Sequence, residues 1–213
     1  MNIFQYIVSS KKALWLLAGA ASGAASVGVM VLGGESWGTI KILGLDRLKG
    51  NTMYFPPGCI FGLTIAILLF FSSKIRSFWR SIILIGMSGI AHYVAFETAF
   101  IIACFLEYSS NHYSFKLIPA GFLAGAIGAA ILGGSFYLLY PIEARWRFAI
   151  KFIGLGAIFG TLLFFVLGVG ETTNYFNYSL LYVPWQAAVA YCLSLFYAPV
   201  QENQTKLPLQ ELP

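Results

Sequence analysis

The sequence has few charged side chains. Only 10% of its 213 residues are Asp, Glu, Lys or Arg, whereas 59% are of hydrophobic types. A soluble globular domain carries about 25% charged residues, because such side chains cover its water-facing surface. The shortage of charge therefore excludes a soluble domain, and lipid has to solvate much of the outside of this molecule.

Cysteines and long basic runs are scarce as well. The three cysteines, Cys59, Cys104 and Cys192, lie inside apolar stretches without paired spacing. Buried thiols of this kind behave as small hydrophobes, so we expect no metal site, no redox centre and no cofactor. The net charge is +5, but no basic run exceeds two residues, so we expect no nucleic-acid partner. Basic residues instead accumulate on the cytoplasmic side of membrane proteins.

Long apolar runs are what the sequence has in abundance. A bilayer crossing needs about 20 apolar residues, and backbone within lipid must satisfy its own hydrogen bonds as helix. The sequence therefore predicts an all-α, polytopic transmembrane bundle that forms a single domain, followed by a polar tail at 201–213. The predicted spans are 13–34, 58–73, 81–106, 117–140, 152–170 and 179–198.

The distribution of Lys and Arg predicts the orientation. With a cytoplasmic N-terminus, nine of the 13 basic residues fall in inside segments and four in outside segments. The two internal cytoplasmic loops are short, which is where this rule is most reliable. We therefore expect both termini in the cytoplasm and the chain in the inner or plasma membrane of a cell, with the lipid bilayer as its surroundings.

The two halves of the chain share a pattern of small residues. Ala20, Ala24 and Gly28 each match the residue 100 positions later, and the first three runs align in order with the last three. Because each half has three crossings, a true duplication would be an inverted repeat, which is common in transporters and channels. A composition rich in Ala and Gly also produces such matches by chance, and the sequence leaves both interpretations open.

Pairs of small residues four positions apart recur in three runs. Such pairs allow two helices to approach closely in lipid. They predict either packing within the bundle or a face for a second copy or another membrane protein. The pairs are Gly19 with Gly23, Ala20 with Ala24, Gly121 with Gly125, and Gly156 with Gly160.

Two ionisable residues, His92 and Glu97, lie near the middle of the third run. An ionisable group at that depth is costly, so it is a candidate functional site. The two residues are about 140° apart around a helix, so they are not expected to pair with each other. They predict a proton-linked or cation-coordinating site, with Ser88, Tyr93 and Gln186 as neighbours. The alternative is a neutral acid and a neutral imidazole bonded within the bundle.

Enzyme signatures are missing. Residues Gly86 to Gly89 spell G-x-S-G, similar to the nucleophile motif of rhomboid proteases, but no histidine follows in the last three runs as those enzymes require. We therefore expect no enzymatic activity. The sequence favours transport or channelling of a small solute or ion through a polar site around His92 and Glu97. The alternative is a non-catalytic membrane subunit that scaffolds or assembles a larger complex.

Overall fold

The structure, a computed structural model, describes residues 11–37, 55–72, 77–107, 117–142, 144–163 and 175–197. Every regular element among them is a helix, which confirms the all-α class. The predicted tail at 201–213 lies outside the described residues. The helices are α1 (Lys11–Trp37), α2 (Phe55–Ser72), α3 (Phe78–Glu107), α4 (Leu117–Leu139), α5 (Arg145–Gly160) and α6 (Tyr175–Phe196).

Four of the helices, α1, α3, α4 and α6, are long and apolar enough to cross a membrane. Helix α2 is apolar but shorter, and α5 comprises 16 residues. Large apolar side chains such as Leu138, Phe105 and Phe71 are about 80% exposed on the outer surface, where lipid rather than water suits them. The chain thus has the architecture of a multi-pass membrane protein.

Five of the six helices begin earlier than the predicted apolar runs. Helix α3 begins at residue 78 rather than 81, and α5 begins at 145 rather than 152. The reason is that hydropathy marks only the part of a helix that suits hydrocarbon. Beyond it the helix continues into the interface, where the exposed Trp79, Arg145 and Trp146 are favourable.

The six helices form a closed ring in chain order. Each helix packs against the next, and α6 packs against α1. Glycines bring three antiparallel pairs into close contact: α1 with α6, α2 with α3, and α4 with α5. At Gly23, for example, a Cβ atom would lie 2.6 Å from the carbonyl oxygen of Tyr182, so only glycine permits this approach.

The inverted repeat is not confirmed by this packing. Ala24 is exposed, whereas Ala124, its partner in the sequence match, is buried. A Cβ at Gly28 would meet nothing within 4 Å, whereas one at Gly128 would lie 3.0 Å from the Cβ of Ala95. These two matched pairs therefore have different surroundings in the two halves, and the repeat stays a prediction.

Aromatic side chains fill one end of the bundle. We call it the basic end, because Lys12, Arg80 and Arg145 lie there. Rings from α1, α4, α5 and the end of α6 pack with centroids 5.0 to 6.4 Å apart. A backbone bridge between Ile142 and Tyr197 adds to this contact. The rings are Trp15, Phe136, Tyr140, Phe148, Phe152, Phe196 and Tyr197.

Helix α5 starts from a strained residue. Ala144 has φ 47° and ψ 55°, in the left-handed region, and gives no side-chain cap. Glycine adopts this region without the Cβ clash, so Ala144→Gly should raise the free energy of unfolding by about 1 kcal/mol. Ala149→Gly, inside α5, should instead lower it by about 0.5–1 kcal/mol. Denaturation in detergent micelles measures both, and equal effects would contradict the left-handed assignment.

Candidate functional site

His92 lies in the middle of α3 and inserts among aromatic rings. Its imidazole stacks on Tyr182 of α6, with centroids 5.3 Å apart and an interplanar angle of 17°. Trp185 meets it edge-on at 5.3 Å, and Phe96 lies 6.1 Å away. The side chain is only 7% exposed, and the contacts that the structure gives its ring are with these aromatic side chains. His92 is therefore a polar side chain held among aromatic rings inside the bundle.

The start of α2 packs closely against His92. A Cβ at Gly58 would lie 2.7 Å from the Cβ of His92 and 2.5 Å from the carbonyl oxygen of Ser88. The 18-residue α2 therefore begins opposite the middle of the 30-residue α3. Ser88 itself is buried, and its Cβ packs against Gly62. Ser88 thus lies in the contact between α2 and α3, one helical turn before His92.

His92 borders a cavity of about 50 Å³ between α3, α4, α5 and α6. The cavity lies in the half of the bundle away from the basic end, and alanines and glycines form much of its wall. The surface of this wall is almost entirely apolar, so the cavity suits a small apolar group better than a water, which needs two to four polar partners. Lining residues include Ala91, Ala95, Ala99, Ala124, Gly125, Gly128, Tyr182 and Trp185.

Glu97 belongs to a different face of α3. It hydrogen-bonds with the hydroxyl of Tyr93, one turn earlier on the same helix, and both side chains are half-buried. The cavity is instead bordered by Ala95 and Ala99, which point about 160° away from Glu97 around the helix. The structure therefore does not bring His92 and Glu97 into one polar site.

Gln186 lies in a second polar cluster, between α1, α2 and α6. The side chain is fully buried, and its Nε2 donates to the Oγ of Ser26 at 3.0 Å. Ser26 Oγ in turn donates to the carbonyl oxygen of Pro57 at 3.3 Å. The Gln186 Oε1 and the Oγ of Ser22 are buried without a hydrogen-bond partner among the described residues. We call Ser22, Ser26 and Gln186 the serine–glutamine cluster.

Several contributors to these sites were missed in the sequence. Tyr182 and Trp185 lie three residues apart on α6, and Ser22 and Ser26 lie four apart on α1, so each pair shares a helix face. That spacing was a usable signal, but it does not tell which helix faces them. Some other hydroxyls within the helices bond to their own backbone, as Thr64 does to the carbonyl oxygen of Ile60 at 3.0 Å.

The small-residue pairs fall into two groups. Gly19 and Gly23 face α6. In the second group, Gly121 and Gly125 of α4 lie directly against Gly160 and Gly156 of α5, backbone to backbone. Ala20 is half-buried and Ala24 is exposed, so that pair does not pack in the same way.

The chemistry available at these sites is that of neutral hydrogen bonding and aromatic contact. Among the described ranges, no group of three or more His, Cys, Asp or Glu residues is arranged to hold a metal ion. The His92 cavity therefore offers apolar and aromatic contacts beside one imidazole. No family model, no curated protein and no solved structure matches this chain.

Proposed function

We propose that the protein transports a small, mainly apolar solute through the membrane and binds it in the His92 cavity. The observation that supports this proposal is the buried imidazole at the wall of an otherwise apolar cavity inside the bundle. Binding sites in helical bundles lie between the helices, and a volume of about 50 Å³, below the roughly 300–1,000 Å³ of drug-sized pockets, limits the solute to a very small molecule.

The lining of the cavity favours an uncharged solute over an ion. An ion that enters an apolar cavity loses its hydration, and only a paired or coordinating group offsets that cost. Here one imidazole faces the cavity, and Glu97 is on another face of α3. The solute we propose has an apolar body that contacts the alanines and one polar group that bonds to His92.

Thiol labelling tests access to the cavity without knowledge of the solute. In a variant whose native cysteines are alanines, Ala124→Cys should react with N-ethylmaleimide about tenfold faster than Ala157→Cys, because reactivity follows access. The two positions are a matched pair, since Ala124 is 4% exposed and borders the cavity while Ala157 is 3% exposed and does not.

Flux into vesicles is the second arm of this experiment. His92→Phe retains a ring that can stack on Tyr182 but removes the hydrogen-bonding nitrogens. We expect it to lower the flux of small neutral amides and alcohols into protein-containing vesicles while the folded yield stays unchanged. Equal labelling of the two cysteines, together with flux no faster than in empty vesicles, would rule the proposal out.

A second candidate function is that of a non-catalytic membrane subunit. The observation that favours it is the outward face of α1, where Ala21, Ala24 and Ala25 are exposed and Gly28 has open space beside it. Lipid-facing positions elsewhere carry large apolar side chains, whereas small ones allow another helix to approach. This candidate would be supported instead if the protein purifies with a partner bound along α1 and Ala124→Cys does not react with N-ethylmaleimide.

A further inference from the structure

A groove runs along the outer surface between α4 and α5 at the basic end. Its volume is about 390 Å³, within the range of about 300–1,000 Å³ that small-molecule sites occupy. Its floor consists of small residues, and a Cβ at Gly134 would meet nothing within 4 Å. The groove therefore offers an apolar slot, open to lipid, that the protein does not fill. Its lining includes Ala130, Gly133, Gly134, Tyr137, Arg145, Trp146 and Phe152.

The mouth of the groove is positively charged. The Arg145 guanidinium lies over the ring of Tyr137, 5.0 Å from its centroid, and Trp146 is 76% exposed beside it. Arg145 is the first residue of α5, whose first turn has no acidic residue and no side-chain cap. Helix N-termini attract anions through their free N–H groups and dipole, and arginine binds phosphate with paired hydrogen bonds.

The sequence around the mouth is also basic. Residues 143–147 contain Arg145 and Arg147 against Glu143, a net charge of +1. An exposed tryptophan beside a basic residue at the end of an apolar helix is typical of the headgroup level of a bilayer. The anionic group that this mouth suits is therefore one that lies at the membrane surface.

We propose that the α4–α5 groove binds an anionic phospholipid. An acyl chain lies along Gly134 and Ala130, and the phosphate lies at the start of α5 beside Arg145. Basic pockets between membrane helices on the cytoplasmic side are known sites for anionic headgroups, and the basic end is the end that the charge rule assigns to the cytoplasm. This site is separate from the His92 cavity and does not depend on the proposed transport.

Binding of phosphatidylglycerol to the delipidated full chain, measured by native mass spectrometry, tests the proposal. Arg145→Gln removes the charge, and Gly134→Leu fills the floor from a position where an added Cβ meets nothing within 4 Å. Each should weaken binding about tenfold, the effect of losing one charge-assisted or well-packed contact. Lys151→Gln, whose cation faces Phe196 at 5.6 Å instead, and Gly86→Leu, another glycine with open space, are matched controls that should leave binding within about twofold.

Three outcomes would overturn the proposal. If phosphatidylcholine with the same acyl chains binds as tightly, the negative charge of the headgroup does not contribute to binding. If glycerol phosphate competes with phosphatidylglycerol at equal concentration, the site binds only the anionic group and the groove does not contribute to binding. A shift from dimer to monomer in Gly134→Leu, with lipid binding unchanged, would mean that a second copy of the chain occupies the groove.

Discussion

Gly125→Ala should separate α4 from α5 and lower the free energy of unfolding by about 3 kcal/mol or more, the upper range for overpacked cores. A Cβ at Gly125 would collide with the carbonyl oxygen of Gly156, and one at Gly121 would collide with that of Gly160. The collisions are reciprocal, because a Cβ at Gly156 or Gly160 meets the α4 backbone in turn. The obstacle is backbone on both sides, so no side chain can move aside to relieve it.

Gly134→Ala on α4 and Gly154→Ala on α5 are the matched controls. A Cβ at either position meets nothing within 4 Å, so both variants should stay within about 1 kcal/mol of the original protein and can be more stable. Folded yield and denaturant unfolding in the same detergent measure all three variants. A Gly125→Ala protein as stable as these controls would mean that α4 and α5 are farther apart than the structure places them.

These glycines show which part of the helix packing could be predicted from the sequence. The spacing of Gly121 with Gly125 and of Gly156 with Gly160 indicated close helix contacts, because small residues four apart share one face. Spacing alone could not say which helices meet. Gly134 and Gly154 are the same residue type in the same helices but face open space. The difference lies in how helices are rotated about their axes, which depends on the whole bundle.

The candidate site was only partly predictable, for a similar reason. His92 could be singled out, because an ionisable residue inside an apolar run is costly wherever the helix turns. Its surroundings could not, since Tyr182 and Trp185 come from a helix about 90 residues later in the chain. The pairing of Tyr93 with Glu97 was accessible because it is local to one helix. The predicted start of α5, residue 152, was later than the observed start at 145, because hydropathy does not detect a basic helical turn in the interface.

Ser26→Ala is the second change with a large expected effect. It removes the acceptor of the Gln186 Nε2 group and the donor to the Pro57 carbonyl oxygen. The Gln186 Oε1 already lacks a partner among the described residues, so the whole buried amide would then be unpaired. Leaving buried polar groups unsatisfied costs about 1–3 kcal/mol each, and we expect a loss near the upper end of that range.

Gln186→Leu should cost much less than Ser26→Ala. Leucine fills a similar volume and carries no polar group, so the unpaired Oε1 disappears together with one hydrogen bond. Ser26 keeps its bond to Pro57, and we expect a change within about 1 kcal/mol. In the double variant the stranded amide is gone, so it should be more stable than Ser26→Ala alone by about 1–2 kcal/mol. Strictly additive losses in urea unfolding would mean that Gln186 is satisfied by some other group.

The double variant also separates fold from function in the serine–glutamine cluster. Gln186 is adjacent in sequence to Trp185, which contacts His92, so the cluster lies beside the proposed binding site without lining its cavity. If the cluster only ties α1, α2 and α6 together, the stable double variant should keep the labelling of Ala124→Cys and the flux of the original protein. If flux is lost while labelling and stability are retained, the side chains of Gln186 and Ser26 take part in the solute's path. That result would extend the pathway from the His92 cavity towards α1, where both side chains are fully buried.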